Sequence, residues 1–285
     1  MTQPFRLASG GLIDRNRPLE FTFNGRRLTG YAGDSLASAL LANGVQLIGR
    51  SFKYHRPRGI MCAGADEPNA LVQLETGART EPNMRATQIE LYEGLVAASQ
   101  NCWPSVEFDV GGVNNVLSRL LPAGFYYKTF MWPPSLWMTY ENLIRRAAGM
   151  GRAPQAPDPA QYEHRHAHCD VLVAGGGPAG LAAALAAARS GARVIVADEG
   201  SEPGGSLLND RADIDGEPAL NWVRRAAAEL RASPDVTLLG RSTVFGYFDH
   251  NALTITERAP QAGGHAPAQR LWKVRAKQVV LATGA

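Results

Sequence analysis

A glycine-rich run, GGGPAG at residues 175–180, constrains the fold of this chain more than any other feature. It follows an apolar, β-branched run at 170–174 and precedes an Ala/Leu-rich segment that ends at Ser190-Gly191. A second strand-like run at 193–197 comes next. Two strands joined by a helix in this way form a βαβ unit, which requires a parallel sheet. The sequence therefore predicts an α/β domain of the Rossmann type, continued by a helix at 217–232 and by strands near 236–239, 243–248, 252–258, 270–275 and 278–283.

The glycines of this run suit a phosphate-binding turn. Gly175 permits the tight turn, Gly177 lets the backbone approach a pyrophosphate, and Gly180 allows the helix to pack close to the strand. Pro178 and Ala179 complete the fingerprint, and the helix N-terminus offers unpaired N–H groups to the phosphates. Because the strand and the helix that this mechanism needs are both present, the run predicts a dinucleotide site.

An acidic pair, Asp198-Glu199, ends the second strand, about 20 residues beyond the glycines. A carboxylate there accepts hydrogen bonds from the adenosine ribose and repels a 2′-phosphate, so NAD or FAD is favoured over NADP. Asp198 is the first choice for this role and Glu199 the second; the alternative is a pair of solvated acids. Farther along, Gly204-Gly205-Ser206 could border the nucleotide, Val244 could contact the adenine, and Thr283-Gly284 could line the crevice.

The N-terminal part of the chain has a different pattern. Residues 19–31 alternate apolar and polar side chains around Asn24-Gly25, which predicts a two-residue β-hairpin. Asp34 stands where a helix N-cap is expected, and Asn43-Gly44 ends the predicted helix. With a further strand at Ala70–Leu74, this order predicts a ferredoxin-like β-grasp domain.

These patterns divide the chain into a β-grasp domain at 1–101, a connecting region at 102–169 and a dinucleotide-binding domain at 170–285. The connecting region is rich in aromatic residues, which form either core or a surface that a partner buries. It includes a Pro/Ala-rich linker at 151–163. Because the chain stops directly after the strand-like run QVVLATGA, we expect the last domain to be truncated.

Composition narrows the classes of function. The formal net charge is only +3 over 285 residues, which gives no support for nucleic-acid binding. Three widely spaced cysteines, Cys62, Cys102 and Cys169, favour a reducing compartment. The sequence shows no apolar run typical of a secretory signal or a membrane-spanning helix. We therefore expect a cytoplasmic protein.

Two clusters resemble chemical sites. HRHAHC at 164–169 has the composition of a metal tract, but we expect it to lie in a mobile linker without accompanying carboxylates, so no metal site is predicted. KYHRPR at 53–58 either clamps an anion or forms a solvated basic loop or an interface. The cysteines are too scattered to predict a nucleophilic site, so no catalytic residue is assigned to this chain.

Three tracts carry a more specific resemblance. They are FKYHRPRGIMCAGADEPNALVQL at 52–74, FYYKTFMWPPSLWMTYENLIRRAAG at 125–149 and VLVAGGGPAGLAAALAAARSGARVIVADEGSEPGG at 171–205. Together they resemble the alpha subunits of heterotetrameric sarcosine oxidases, collinearly over essentially the whole chain. Related amine-oxidising complexes of the opine and hydrogen cyanide synthase types share the layout.

The resemblance implies an NAD site in which five residues match NAD-contacting positions: Ala179, Asp198, Glu199, Ser206 and Val244. It implies FAD and FMN held chiefly by a partner subunit, beta, gamma and delta partner subunits, and a tetrahydrofolate-binding region that is missing from this chain. It also implies a first domain built like a plant-type ferredoxin, whose cluster needs C-x4-C-x2-C and a distant fourth cysteine. Because this loop offers only Cys62, we predict no iron–sulfur cluster.

The resemblance therefore implies an oxidoreductase subunit in a flavin-dependent complex that demethylates sarcosine to glycine with O2 as acceptor. The formaldehyde unit would pass to tetrahydrofolate, and the catalytic flavin site would lie outside this chain. Alternatives are an independent FAD-dependent NADH oxidoreductase, the alpha-type subunit of an opine or amine dehydrogenase or hydrogen cyanide synthase complex, and a β-grasp scaffold that a bound nucleotide merely stabilises.

Overall fold

The computed structural model describes residues 3–120, 124, 131–147, 151–259 and 267–284. The chain divides between Pro159 and Ala160 into two compact units, which are treated separately below as the first and the second unit. Each unit contains a sheet and a buried core of its own. No helix within the described ranges is long and apolar enough to cross a membrane.

The first unit is a small mixed sheet with a helix packed on it. Its elements are β1 (Asp14–Phe23), β2 (Arg26–Ala32), α1 (Leu36–Ala42), β3 (Gly49–Arg50), β4 (Pro57–Arg58), β5 (Leu71–Leu74), β6 (Glu81–Arg85), β7 (Leu95–Ser99), α2 (Val113–Val116) and α3 (Trp137–Ala147). The main sheet has the order β2-β1-β7-β5-β6. Asn24 (φ 50°) and Gly25 (φ 76°) join β1 to β2 in the left-handed region, which confirms the predicted hairpin.

Alternation along β1 builds the core of the first unit. Leu19, Phe21 and Phe23 are buried, and they belong to one apolar cluster with Leu36 and Leu40 of α1. The strand predicted at 70–74 is β5, which lies between β6 and β7. The order of elements and the shared core agree with the ferredoxin-like fold that the sequence predicts.

The N-cap of α1 differs from the prediction. The Ser35 hydroxyl, not Asp34, caps the helix by accepting the N–H of Ser38 at 3.1 Å. Asp34 is buried instead, where it accepts the N–H of Tyr31 at 2.9 Å and pairs with the Arg6 guanidinium at 2.7 Å. Asp and Ser are both good N-cap residues, so the sequence alone does not separate Asp34 from Ser35. Asp34 does not cap the helix because its carboxylate is bonded to Tyr31 and Arg6. The predicted C-terminal stop is confirmed, because Gly44 adopts φ 79° after Asn43.

The aromatic residues of the connecting region do not form a core where the structure describes them. The side chains of Trp103, Phe108 and Trp132 are 70%, 71% and 80% exposed. Phe125, Tyr126, Tyr127 and Phe130 lie outside the described residues. For the described members, the exposure argues against the first interpretation, a core.

The second unit is an α/β sheet extended by an antiparallel ribbon. Its elements are β8 (Tyr162–Ala174), α4 (Pro178–Arg189), β9 (Val194–Ala197), β10 (Asp213–Ile214), β11 (Glu217–Pro218), α5 (Ala219–Ala232), β12 (Val236–Leu239), β13 (Ser242–Phe248), β14 (Ala252–Arg258) and β15 (Gln269–Leu281). The strand order is β12-β9-β8-β15-β14-β13, with β12, β9, β8 and β15 parallel. The predicted βαβ unit is therefore present as β8-α4-β9.

Two details of the second unit differ from the sequence prediction. The strands expected at 270–275 and 278–283 form one strand, β15, and the helix expected from residue 217 begins at Ala219. Glu217 lies outside the helix because β11 pairs with β10. The strands predicted at 236–239 and 252–258 are confirmed as β12 and β14.

The expected mobile linker around the histidines is also wrong. β8 begins at Tyr162, so His164, His166 and His168 lie in a strand that pairs along its length with β15. They are exposed on one face, as their spacing predicts, and no group of three or more His, Cys, Asp or Glu side chains within the described ranges is arranged to hold a metal ion. Burial raises the pKa of the neighbouring Cys169 to about 11, so its thiol stays protonated at neutral pH.

Candidate dinucleotide site

The turn after β8 is held between two neighbouring strands. Gly175 adopts φ 106°, in the region that favours glycine, and its N–H donates to the carbonyl of Ala197 at 2.8 Å. A Cβ at this position would lie 2.1 Å from the carbonyl oxygen of Ala282. Because that oxygen belongs to the backbone, only glycine fits. The close approach also brings Ala282 and the backbone of Thr283 to the turn, and the prediction that Thr283-Gly284 lines a nucleotide crevice stays a prediction.

The other two fingerprint glycines have separate roles. A Cβ on Gly180 would lie 1.9 Å from the carbonyl oxygen of Gly175, so this glycine allows α4 to pack against the turn. Gly177 is the N-cap of α4, and the nearest atom to its Cβ would be the Cα of Gly205, at 3.9 Å. Gly180 is therefore needed for packing, whereas Gly177 leaves space at the start of the helix.

The start of α4 has the character of an anion site. Pro178 occupies the first helical turn, where its missing N–H costs no hydrogen bond. Among the described residues, no side chain caps the N–H groups of this turn. Unsatisfied N–H groups and the helix dipole favour a phosphate at this end. Ala179 lies in the same turn, beside the space that Gly177 leaves.

The predicted ribose-binding acid lies beside the glycine turn. Asp198 directly follows β9, and its carboxylate accepts the N–H of Gly176 at 2.5 Å and the N–H of Gly200 at 2.8 Å. Each carboxylate oxygen has a second acceptor position, so the group can still bind hydroxyls. The Asp198 carboxylate is thus fixed directly against the glycine turn. Glu199 follows it and is exposed.

The second glycine turn packs against the first. The N–H of Gly204 donates to the carbonyl of Gly176 at 2.8 Å. Gly204 and Gly205 both have positive φ, 136° and 54°, and a Cβ on Gly205 would lie 2.9 Å from the Cα of Gly177. The packing places Ser206, which is exposed, in the 3-10 turn directly after these contacts.

Val244 is placed less directly. It lies in β13, is half-buried, and packs against the apolar cluster that includes Ala197 and Leu239. The N–H of Ser242, two residues earlier in β13, donates to the carbonyl of Asp198 at 2.7 Å, so Val244 lies near the end of the sheet that holds Asp198. Its contact with adenine remains a prediction.

Sequence reasoning missed the clamp that fixes Asp198. The N–H of Ser242 donates to the carbonyl of Asp198 at 2.7 Å, and the N–H of Arg241 donates to the carbonyl of Gly200 at 2.7 Å. It also missed Gly176, whose Cβ would lie 3.0 Å from the Asp198 side chain. Gly200 and Gly240 next to these residues were the only signal, since close backbone approach favours glycine.

Fold and site together define a class: a ferredoxin-like domain followed by a dinucleotide-binding domain of the flavoenzyme type. Family profiles agree with this class. A profile described as "2Fe-2S iron-sulfur cluster binding domain" matches residues 16–102, and one described as "FAD dependent oxidoreductase" matches residues 170–246.

Curated relatives give a narrower similarity. The chain is 58% identical to the alpha subunit of sarcosine oxidase from Rhizobium meliloti over 99% of its own length and 29% of that protein. It is 38% identical to the alpha subunit of sarcosine oxidase from Corynebacterium sp. strain P-1, over 99% of this chain and 25% of that one. An opine oxidase chain from Agrobacterium tumefaciens is 36% identical over 41% of this chain and 24% of its own. The resemblance to sarcosine oxidase alpha subunits is confirmed, and the chain spans under a third of their length.

A solved structure supports the fold. L-proline dehydrogenase from P. horikoshii matches 95% of this chain and 42% of its own, with a TM-score of 0.57 and 18% identity. At that identity the likeness concerns the fold alone.

Proposed function

We propose that this chain is the NAD-binding part of an alpha-type subunit in a flavin-dependent sarcosine oxidase complex. The complex would oxidatively demethylate sarcosine to glycine with O2 and pass the formaldehyde unit to tetrahydrofolate. FAD and FMN would be held chiefly by a partner subunit, with beta, gamma and delta subunits completing the heterotetramer. The relatives that match 99% of the chain support this proposal. Three free cysteines suit a reducing compartment, which supports a cytoplasmic location.

The observation that carries the NAD proposal is the space at Gly177, at an uncapped helix start whose preceding residue, Gly176, donates to the Asp198 carboxylate. Gly175, Gly177 and the N–H groups of Ala179 and Gly180 would hold the pyrophosphate. Bound NAD supplies a nicotinamide ring that exchanges hydride. The residues of this chain bind and orient the adenosine diphosphate half.

Asp198 supports NAD over NADP. Its carboxylate is fixed by the N–H groups of Gly176 and Gly200, so it cannot turn away from the ribose side without breaking both bonds. A negative charge held in this way accepts hydroxyl donors and repels a 2′-phosphate. Glu199, Ser206 and Val244 would complete the adenosine side.

A second candidate is an FAD-dependent oxidoreductase that binds FAD in the same turn. The match of residues 170–246 to the FAD-dependent family favours it, because FAD and NAD share the adenosine diphosphate that such turns recognise. The two candidates differ in colour. If this chain, purified without partners, shows flavin absorbance, the FAD-binding candidate is favoured. If the protein is colourless and releases NAD on denaturation, the first proposal is favoured.

Calorimetric titration of the full chain with NAD, NADP and FAD tests the site. We expect NAD to bind about tenfold or more tightly than NADP, because of the Asp198 charge. Gly177→Ala should weaken NAD binding about tenfold while leaving the melting temperature unchanged, since its Cβ enters the ligand space and not the packed core. Gly112→Ala is the matched control, because a Cβ there meets open space in the other unit. Equal NAD affinity in both variants would contradict the site.

We also propose that this chain holds no iron–sulfur cluster. A [2Fe–2S] cluster of the plant type needs four thiolates, and the sequence has three cysteines in all. Cys169 lies buried in β8 of the second unit, which leaves Cys62 and Cys102 in the first. The donor set therefore does not fit the cluster that the matched family is named for.

A further inference from the structure

The loop that would hold such a cluster is organised by a carboxylate. Glu67 is fully buried in the first unit. One carboxylate oxygen accepts the N–H groups of Met61 at 2.7 Å and Cys62 at 2.8 Å. The other accepts the N–H groups of Asn69 at 2.7 Å and Ala70 at 3.1 Å. One side chain thus joins the two ends of the loop.

The position of Glu67 coincides with a ligand position. The plant-type spacing is C-x4-C-x2-C, and counting from Cys62 it places the next two ligands at residues 67 and 70. These positions hold Glu67 and Ala70. Neither supplies a thiolate, and the Glu67 side chain turns inward onto the loop backbone.

The hydrogen bonds match what an ionised carboxylate needs. Burial alone raises the pKa of Glu67, but the N–H groups of Cys62, Asn69, Met61 and Ala70 outweigh it and lower the pKa below its ordinary value. Hydrogen bonds to an ionised acceptor are about twice as strong as neutral ones. The buried charge is therefore compensated by the loop itself.

Two further bonds fasten the loop to the end of β6 and the turn that follows it. The Arg85 side chain donates to the carbonyl of Glu67 at 3.2 Å, and the Thr87 hydroxyl donates to the carbonyl of Gly64 at 2.6 Å. Cys62 is exposed, so its backbone is held by Glu67 while its side chain faces solvent. The loop backbone is therefore held by side chains of the first unit.

We propose that Glu67 takes the structural place of an iron–sulfur cluster in this loop. Its carboxylate collects the backbone N–H groups of both loop ends, so the ferredoxin-like unit folds as a metal-free scaffold and Cys62 is a surface thiol. This inference concerns the first unit and does not depend on the NAD site.

Hydrogen exchange of the full chain tests the role of Glu67. In Glu67→Gln, the amide NH2 replaces one acceptor and faces backbone donors, so the amides of residues 61, 62, 69 and 70 should exchange about tenfold faster or more. Glu20→Gln, at an exposed acid of β1, is the control and should leave these rates unchanged. Unchanged rates in Glu67→Gln would overturn the proposal.

Anaerobic reconstitution of the unaltered chain with ferric iron and sulfide gives a second test that no folding defect can obscure. We expect fewer than about 0.1 iron per chain after desalting and no visible cluster absorbance, because four thiolates cannot be assembled. About two iron and two sulfide per chain, lost in Cys62→Ser, would overturn the proposal.

Discussion

Two loops of this protein gather backbone N–H groups, and they differ in what receives them. In the loop at 61–70, Glu67 of the loop itself accepts four N–H groups and fills the interior. In the turn at 175–180, Asp198 comes from the next strand and accepts the single N–H of Gly176, while the helix start stays uncapped among the described residues. A loop that satisfies its own donors is closed to ligands, whereas a loop with unused donors can bind an anion.

The two loops also differ in how glycine is used. At 175–180, Gly175 and Gly180 permit contacts that no Cβ allows, and Gly177 leaves space. At 61–70, a Cβ on Gly64 would meet open space, although its φ of 76° favours glycine. In these two loops, glycine therefore permits close backbone packing in the second unit and only a bend in the first.

The largest effect is expected from adding a side chain at Gly180, which makes the closest contact in the turn at 175–180. Gly180→Val would place a Cβ 1.9 Å from the carbonyl oxygen of Gly175, so the free energy of unfolding of the second unit should fall by about 3 kcal/mol or more. Hydrogen exchange during denaturant unfolding would report each unit separately. Ala182→Val, on the exposed face of α4, is the control. A second unit as stable as the unaltered one would show that the turn does not pack as described.

The loop at 61–70 should be destabilised when it loses the Glu67 carboxylate. Glu67→Gln should lower the free energy of unfolding of the first unit by about 2 kcal/mol at neutral pH, because buried N–H groups lose an acceptor. The pKa of Glu67 is lowered on folding, so its contribution is present above the ordinary glutamate value of 4.5 and is lost as the pH falls through the lowered value. The difference in the free energy of unfolding between the unaltered protein and Glu67→Gln should therefore be constant from about pH 5 to 8 and become smaller in more acidic solution. A difference in the free energy of unfolding that grows in acid would contradict this account.

Asp198 should affect ligand binding more than stability. Asp198→Asn should weaken NAD binding by about 1–2 kcal/mol and narrow the preference over NADP, because the fixed charge beside the ribose is removed. Isothermal titration with both nucleotides measures the two effects. Glu199→Gln is the matched comparison, and the reverse order of effects would assign the ribose contact to Glu199.

The smallest effect on stability is expected at Gly25, where an added Cβ would contact no other atom. Gly25→Ala strains a residue at φ 76°, and its Cβ would meet open space, so the first unit should lose about 1 kcal/mol. The second unit should be unaffected, which thermal unfolding followed by hydrogen exchange would check. If Gly25→Ala lowered the free energy of unfolding as much as Gly180→Val does, steric contact would not explain why Gly180 matters more than Gly25.

The glycine turn was predictable because its residue types follow from backbone geometry. Gly175 and Gly180 stand where a side chain would overlap a backbone oxygen, and Asp198 follows at the distance that the strand and helix lengths impose. The tether from Asp198 to Gly176 was not predictable, because spacing does not show which donors a carboxylate selects.

Other features depend on contacts between distant residues. Glu67 could not be distinguished from a solvated acid, since glutamate is seldom fully buried and its N–H partners are set by the loop conformation. The early start of β8 at Tyr162 depends on pairing with Gln269, far along the chain. Local patterns cannot reveal such pairing in a segment rich in histidine and arginine.

Native mass spectrometry of the purified full chain tests the contrast between the two loops in one measurement. We expect a species heavier than the apoprotein by the mass of one NAD, and no species heavier by a [2Fe–2S] cluster. A retained cluster, or a chain that binds NAD equally well after Gly177→Ala, would contradict the contrast.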